Sequence, residues 1–211
     1  MTQRRRLAFL GLVLVGAPAI LAGASGEARA QSQPPNWVEP PAIALRVPRG
    51  GPLHDLDFLF GALKAAPDDT SAKAIEDRIW AQWAASGSDT VNLLMVRVKT
   101  AVDKEDFDLA IRLLDAIIEI RAEYAEAWNR RATVFYLKKD FSNALADLRQ
   151  VLRREPRHFA ALAGLGTIMQ EVGDDKGALE AYRAALALHP HLKGMADKVR
   201  SLTETVEGRP I

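Results

Sequence analysis

The stretch 128–156 reads WNRRATVFYLKKDFSNALADLRQVLRREP and carries the pattern that decides the fold. Its apolar residues have helical spacing on both sides of a short polar turn, as in a helix hairpin. The pattern recurs before and after this stretch at one fixed interval, and Pro156 and Pro190 end two of the three copies. A period of about 34 residues predicts an array of repeats. The shift by one period superposes Leu94, Trp128 and Leu162; Val98, Ala132 and Gly166; Ala101, Phe135 and Met169; Ala110, Ala144 and Ala178; Leu114, Leu148 and Tyr182; and Ile117, Val151 and Ala185.

The regular array covers residues 91–190, and the period divides it into repeats at 91–124, 125–158 and 159–192. A single hairpin cannot bury its bulky columns alone, because they face the neighbouring hairpins. Stacking of successive hairpins supplies the core instead. We therefore expect an all-α chain built from stacked antiparallel helix hairpins.

Two columns of the repeat hold mostly small residues. We expect Val98, Ala132 and Gly166 to lie where the two helices of a hairpin cross closely. The second helix has its own small column, formed by Ala110, Ala144 and Ala178.

The segments that flank the array have weaker versions of the pattern. Residues 53–90 predict a helical hairpin in which Phe60 and Trp80 fit the repeat columns but Pro67 does not. We interpret it as a degenerate first repeat that closes the array at its N-terminal end, since terminal repeats are atypical. Residues 191–207 predict one amphipathic helix that caps the other end, as an array needs for solubility.

The N-terminus has the order of a cleavable signal peptide over residues 1–30. A basic start is followed by the apolar run Leu7–Ala24, and Ala28-Arg29-Ala30 fits the small-residue cleavage pattern. An uncleaved membrane anchor is the alternative, but the glycines and proline in the run favour cleavage before Gln31. We expect export to the periplasm of a bacterial cell, with no membrane insertion after cleavage.

Residues 31–52 form a proline-rich leader with six of the eleven prolines. Proline restricts the backbone and removes a hydrogen-bond donor, so this segment is expected to be an extended, semi-rigid spacer. It either remains a mobile leader, or lies back on the helices or on a partner.

The composition argues against several functions. The formal net charge is +1, but the segment 1–30 contributes four arginines against one glutamate, so the remainder is weakly acidic. This gives no electrostatic case for a nucleic-acid partner. Cysteine is absent, which excludes disulfides and thiolate metal sites. His189 and His191 flank a proline without a second cluster, so we expect neither a metal nor a cofactor, and no catalytic residues stand out.

The repeat resembles the tetratricopeptide repeat family. The third copy carries the closest match, with Leu162, Gly166, Tyr182 and Pro190 in the family columns, whereas the first departs at Val98 and at Ala122, where proline is usual. This resemblance implies a right-handed α-solenoid whose first helices line a concave groove for a protein or peptide partner.

The resemblance also implies which side chains face that groove. One family subclass holds a C-terminal carboxylate with lysine, asparagine and arginine, which Lys99, Asn129 and Arg130 match in part. The alternative is a set of solvated groove residues. The groove candidates are Asn92, Met95, Lys99, Glu126, Asn129, Arg130, Thr133, Tyr136, Thr167 and Gln170.

One charged pair is predicted to be structural. Arg131 stands in a column where leucine is commoner, and Asp147 follows on the facing helix of the same hairpin. A charge near a helix interface requires a partner, so we expect an ion pair between them.

These observations favour a non-enzymatic, exported interaction scaffold that binds a cell-envelope partner through its groove. The alternative is a regulatory or accessory subunit of an envelope enzyme, such as a cell-wall hydrolase or synthase. The sequence does not indicate the oligomeric state.

Overall fold

A computed structural model describes residues 55–208, and these residues form nine α-helices and no strand. The all-α prediction is confirmed. The predicted signal peptide and proline-rich leader lie outside the described residues. None of the helices between Asp55 and Gly208 is long and apolar enough to cross a membrane. The helices are α1 (Leu56–Lys64), α2 (Asp69–Ala84), α3 (Asp89–Asp103), α4 (Phe107–Ile120), α5 (Ala125–Leu137), α6 (Phe141–Arg154), α7 (Phe159–Glu171), α8 (Asp175–Leu188) and α9 (Met195–Val206).

The turn inside each regular hairpin has the same geometry in all three repeats. An aspartate caps the second helix, and its side chain accepts a hydrogen bond from the backbone N–H at the third position after it. The residue before the aspartate has a positive φ, which costs least for glycine. Only the third repeat has glycine at this position, whereas all three turns have the aspartate N-cap. The caps are Asp106, Asp140 and Asp174, and the positive-φ residues are Glu105, Lys139 and Gly173.

The regular hairpins α3–α4, α5–α6 and α7–α8 stack in chain order. Helix α4 packs on α5, α6 on α7, and α8 on α9. One apolar cluster joins the first repeat to α5 through Ala127 and Val134, and another joins the second repeat to α7 through Ala161 and Ile168. The core therefore lies between hairpins as well as within them.

The close crossing inside a hairpin depends on complementary volumes. In the third repeat, Gly166 lies opposite Tyr182, and a Cβ atom added at Gly166 would come within 2.6 Å of the tyrosine ring. The corresponding side chains opposite Val98 and Ala132 are the smaller Leu114 and Leu148. The smallest residue in one column thus accompanies the largest in the other.

The predicted ion pair between Arg131 and Asp147 is confirmed and is bidentate. Nε and Nη2 of Arg131 each donate to a carboxylate oxygen of Asp147 at 2.8 Å. The same guanidinium also donates to Asp115 of the preceding hairpin, and it lies over the Trp128 ring at 4.9 Å. These hydrogen bonds raise the pKa of Arg131 further above its usual value. Arg131 therefore links two repeats.

The N-terminal hairpin α1–α2 occupies a different place from the one expected. It does not close the N-terminal end of the array but packs against the third repeat. Trp80 and Trp83 of α2 contact the rings of His158 and Phe159 where α7 begins. The expectation was wrong because apolar spacing shows which side of α2 must be buried but not which neighbour buries it.

Polar contacts hold the same hairpin to the loops that join the repeats. The Tyr124 hydroxyl donates to the carbonyl oxygen of Ala84 at 2.9 Å, and Arg157 forms an ion pair with Asp57. Both ring nitrogens of His191 face acceptors on this hairpin, and the hydrogen bond to Asp69 raises the pKa of the imidazole. The hairpin therefore bridges the second and third repeats.

The last helix, α9, packs on α8 beyond the third repeat. Met195 and Leu202 are buried, and the loop before them is closed by Gly194 in the left-handed region. Arg183 of α8 forms an ion pair with Glu207 just after α9. The exposed side chains of α9 are mostly polar.

We expect Gly166→Ala to destabilise the protein by about 1–3 kcal/mol, because the added methyl group overlaps the Tyr182 ring. Chemical denaturation measures the change. The control is Gly61→Ala in α1, where a Cβ meets nothing within 4 Å and alanine stabilises a helix by up to about 1 kcal/mol. In a Tyr182→Leu background the cost of Gly166→Ala should shrink, and an unchanged cost would contradict the proposed overlap.

Candidate partner-binding groove

The predicted groove residues lie on α3, α5 and α7, on the side that we call the inner face. They fall into two groups that differ in exposure. Asn92, Lys99 and Gln170 are exposed, whereas Met95, Arg130 and Thr133 are partly exposed. The buried group is Glu126, Asn129, Tyr136 and Thr167.

Helix α2 lies over the N-terminal ends of α5 and α7 on the inner face. Trp83 stacks on His158 with ring centroids 4.1 Å apart and an angle of 8° between the planes. Glu126 and Asn129, in the first two turns of α5, are only 1% exposed. These two predicted groove residues are therefore interior in the structure, at the end of the inner face over which the N-terminal hairpin lies.

Glu126 is the centre of a buried polar cluster. It accepts hydrogen bonds from Arg130 Nε at 2.9 Å and from Asn129 Nδ2 at 3.1 Å. Nε2 of His158 lies 3.8 Å from Oε2 of Glu126, too far for a hydrogen bond but close enough for electrostatic attraction. Nδ1 of His158 accepts from the Ala161 N–H, so a neutral ring carries its proton on Nε2, toward Glu126.

Burial disfavours the charged form of Glu126, but its neighbours favour that form more strongly. The positive charge of Arg130, the His158 ring and the Asn129 hydrogen bond together hold the pKa of Glu126 below its usual value. The carboxylate is therefore ionised at neutral pH, and it organises the start of α5 and α7 from inside the protein.

The proposed carboxylate-binding set is already engaged within the chain. Lys99 pairs with Asp103, while Asn129 and Arg130 both bind Glu126. These donors do not converge on a shared open position. The structure gives the three residues local structural roles.

The C-terminal half of the inner face contains an open cleft of about 320 Å³. We call it the inner cleft, and it is lined by Thr167, Gln170, Glu171 and Lys198. Two of these residues, Thr167 and Gln170, are among the sequence-predicted groove residues. Thr167 is 3% exposed and supports the wall, whereas Gln170 and Glu171 are exposed.

Hydrogen bonds through Tyr182 hold the inner cleft in shape. The Tyr182 hydroxyl lies 3.2 Å from both Thr167 Oγ1 and Gln170 Oε1, and Lys198 Nζ donates to it at 3.0 Å. On the other wall, the Tyr136 hydroxyl donates to Glu171 at 3.4 Å. The cleft thus presents a cation on α9 and an anion on α7, with an amide beside them.

Sequence reasoning missed Glu171 and Lys198. The repeat shift that takes Arg130 to Gly164 takes Gly164 to Lys198, so Lys198 stands in a groove column of a further first helix. Interpreting residues 191–207 as a partial repeat, as well as a cap, would have identified it. Glu171 ends α7, and no column signal distinguished it.

No group of three or more histidine, cysteine, aspartate or glutamate side chains in the described residues could hold a metal ion. His158, His189 and His191 instead contact the N-terminal hairpin or the cluster beneath it.

The repeat geometry agrees with the comparisons with known proteins. Residues 95–147 and 138–192 match the profile described as tetratricopeptide repeat. A TPR repeat-containing protein of Rhizobium etli is 36% identical over 157 residues, which cover 74% of this chain and 77% of that protein. The chain belongs to the tetratricopeptide repeat family.

Solved structures confirm the solenoid fold. The first TPR domain of Spaghetti (RPAP3), bound to the HSP90 peptide SRMEEVD, has a TM-score of 0.53 at 15% identity, covering 56% of this chain and 93% of that one. The TPR2B domain of yeast Sti1 in complex with pHsp70 has a TM-score of 0.52 at 18% identity, covering 56% and 99%. At this identity the similarity establishes the fold, a right-handed α-solenoid, and nothing more.

The buried Glu126 predicts a specific dependence of stability on pH. Because its pKa is lower in the folded than in the unfolded state, its stabilising contribution is present above about pH 4.5 and is lost as pH falls through the folded value. We expect Glu126→Gln to lower the free energy of unfolding most at neutral pH, with a difference from the parent that narrows on acidification. Denaturant titrations at several pH values measure it.

The control for this prediction is Glu119→Gln, which removes an exposed carboxylate of α4. Its difference from the parent should stay small at every pH. A constant difference for Glu126→Gln as well would contradict a buried, ionised Glu126.

Proposed function

We propose that the protein is an exported, non-enzymatic adaptor that binds a cell-envelope protein through the inner cleft. The observation that carries this proposal is an open cleft on the inner face. Helix α2 lies over the starts of α5 and α7, while Gln170, Glu171 and Lys198 line the open cleft and keep their charged and amide groups at its wall.

The size of the inner cleft favours an extended segment of a partner. A volume of about 320 Å³ lies at the lower end of the range for ligand pockets and accommodates a few side chains at most. Lys198 is placed to receive a carboxylate, and Glu171 to receive a basic side chain. The partner segment is therefore expected to carry both charges close together.

The structural relatives support a peptide-binding use of this fold. Two of the solved structures contain TPR domains in complex, one with an HSP90 peptide and one with pHsp70. The chemistry of the inner cleft differs from a cluster of cationic donors, so the same partner is not implied for this chain.

Export rests on the N-terminal sequence. Residues 1–30 have the basic, apolar and small-residue regions of a secretory signal in the required order. The absence of cysteine suits an oxidising compartment, because the folded chain has no thiol to oxidise.

We expect Glu171→Lys to weaken capture of the envelope partner at least about tenfold, since it replaces the anion of the cleft by a cation. The test is co-purification from the periplasmic fraction, followed by titration of the partner identified with the parent protein. Glu180→Lys is the matched control, because it makes the same charge change at an exposed position of α8 outside the cleft. Equal binding by both variants would contradict the role of the cleft.

Cell fractionation and N-terminal sequencing test the export proposal separately. The protein should appear in the periplasmic fraction with Gln31 as its first residue. Changing Ala28 and Ala30 to bulky residues should block processing, because the signal peptidase requires small side chains there. Recovery of the full-length chain in the cytoplasm would show that the proposal is wrong, whatever the cleft binds.

A further inference from the structure

The face of α3 that points away from α4 carries an exposed stripe with two large apolar side chains. Leu93 is 65% exposed and Val96 is 64% exposed. With Asp89, Thr100 and Lys104 they follow helical spacing, and all five are exposed along one side. We call these five residues the α3 stripe.

The positions of Leu93 and Thr100 are buried in the other two repeats. The position of Leu93 is taken by Ala127 and Ala161, which are both 0% exposed, and these lie in the clusters shared with the preceding hairpin. The position of Thr100 is taken by Val134 and Ile168, also buried. In this architecture the part of the face around Leu93 and Thr100 is therefore a stacking surface for another helix.

No helix of the described chain covers the α3 stripe. The preceding hairpin is displaced, because Trp80 and Trp83 attach it to the third repeat. The opposite end of the array is closed by α9, whose exposed residues include Asp197, Arg200 and Ser201. A polar end does not complement an apolar stripe, so head-to-tail stacking of copies is disfavoured.

The two ends of the α3 stripe carry opposite charges, Asp89 at one end and Lys104 at the other. Two copies of the stripe in antiparallel orientation are therefore complementary in charge. We propose that two copies of this chain pair through their α3 stripes in antiparallel, two-fold symmetric fashion, with the axis near Val96. Such pairing places Leu93 against Thr100 and Asp89 against Lys104 of the second copy, because each pair lies equally far from the centre. Within residues 55–208, neither Asp89 nor Lys104 has an ion-pair partner in its own chain.

The surroundings of the stripe suit a weak, reversible dimer. One helix against one helix lies at the low end of specific interface sizes, below about 1,200 Å². Arg97 stands at the edge of the stripe, where its long side chain keeps the charge in water. The dissociation constant is therefore expected in the micromolar range. This inference does not depend on the inner cleft or on export.

Sedimentation velocity of the full chain over a wide concentration range is the first test. We expect a reversible monomer–dimer equilibrium, weakened at least about tenfold by Leu93→Glu because a buried charge replaces an apolar contact. Val172→Glu is the matched control, since Val172 is 56% exposed and lies outside the stripe. A monomer at every concentration, or equal effects of the two variants, would overturn the proposal.

Charge exchange tests the antiparallel register. Asp89→Lys and Lys104→Asp should each weaken the dimer by about three- to tenfold, whereas the double variant should recover most of the loss by restoring opposite charges across the axis. Circular dichroism of each variant confirms that α3 remains folded. If the dimer of the double variant is weakened by as much as the two single effects added together, this register is excluded and the proposal is overturned.

Cysteine cross-linking tests the position of the axis, and the chain contains no native cysteine to interfere. Val96→Cys should form an intermolecular disulfide readily under mild oxidation, because the two copies of this side chain meet near the axis. The rate of disulfide formation by Val172→Cys, outside the stripe, measures cross-linking by random collision. Equal rates for the two variants would overturn the proposed geometry.

Discussion

The structure depends most on the contact between the two tryptophans of α2 and the start of α7. Trp80 is fully buried, and Trp83 stacks on His158. Burial of two such rings against His158 and Phe159 contributes strongly to stability. Because of this contact the N-terminal hairpin packs against the third repeat and lies over Glu126 and Asn129. The α3 stripe therefore remains exposed.

The inner face therefore has two regions with different roles, the buried cluster around Glu126 and the open inner cleft. Under α2, the Glu126 carboxylate accepts hydrogen bonds from Arg130 and Asn129, and His158 lies close enough for electrostatic attraction, so this cluster acts inside the protein. At the C-terminal end of α7 and the first turn of α9, Gln170, Glu171 and Lys198 surround a cleft whose walls are held by Tyr182. The third repeat contributes to both regions, and its Gly166–Tyr182 contact fixes the hydroxyl on which the cleft depends.

The periodic features of the fold were predictable because each repeat meets the same local constraints. The repeat columns located the regular hairpins, and a charge beside an interface pointed to the pairing of Arg131 with Asp147. The exposure of the groove candidates was not predictable in the same way, since column position assigns a side chain to a face but not to solvent. Thus Gln170 is exposed, while Asn129, which stands on the same inner face, is buried by a helix from outside the period.

The sequence by itself determined the helical class and the repeat family, because these follow from apolar spacing that recurs at one fixed period. Only the tertiary structure decided where α1 and α2 lie, which half of the inner face stays open and that the α3 stripe is uncovered. The physical reason is that apolar burial has no direction of its own. Trp80 and Trp83 require a partner surface, and only the folded array shows that Phe159 and His158 provide it.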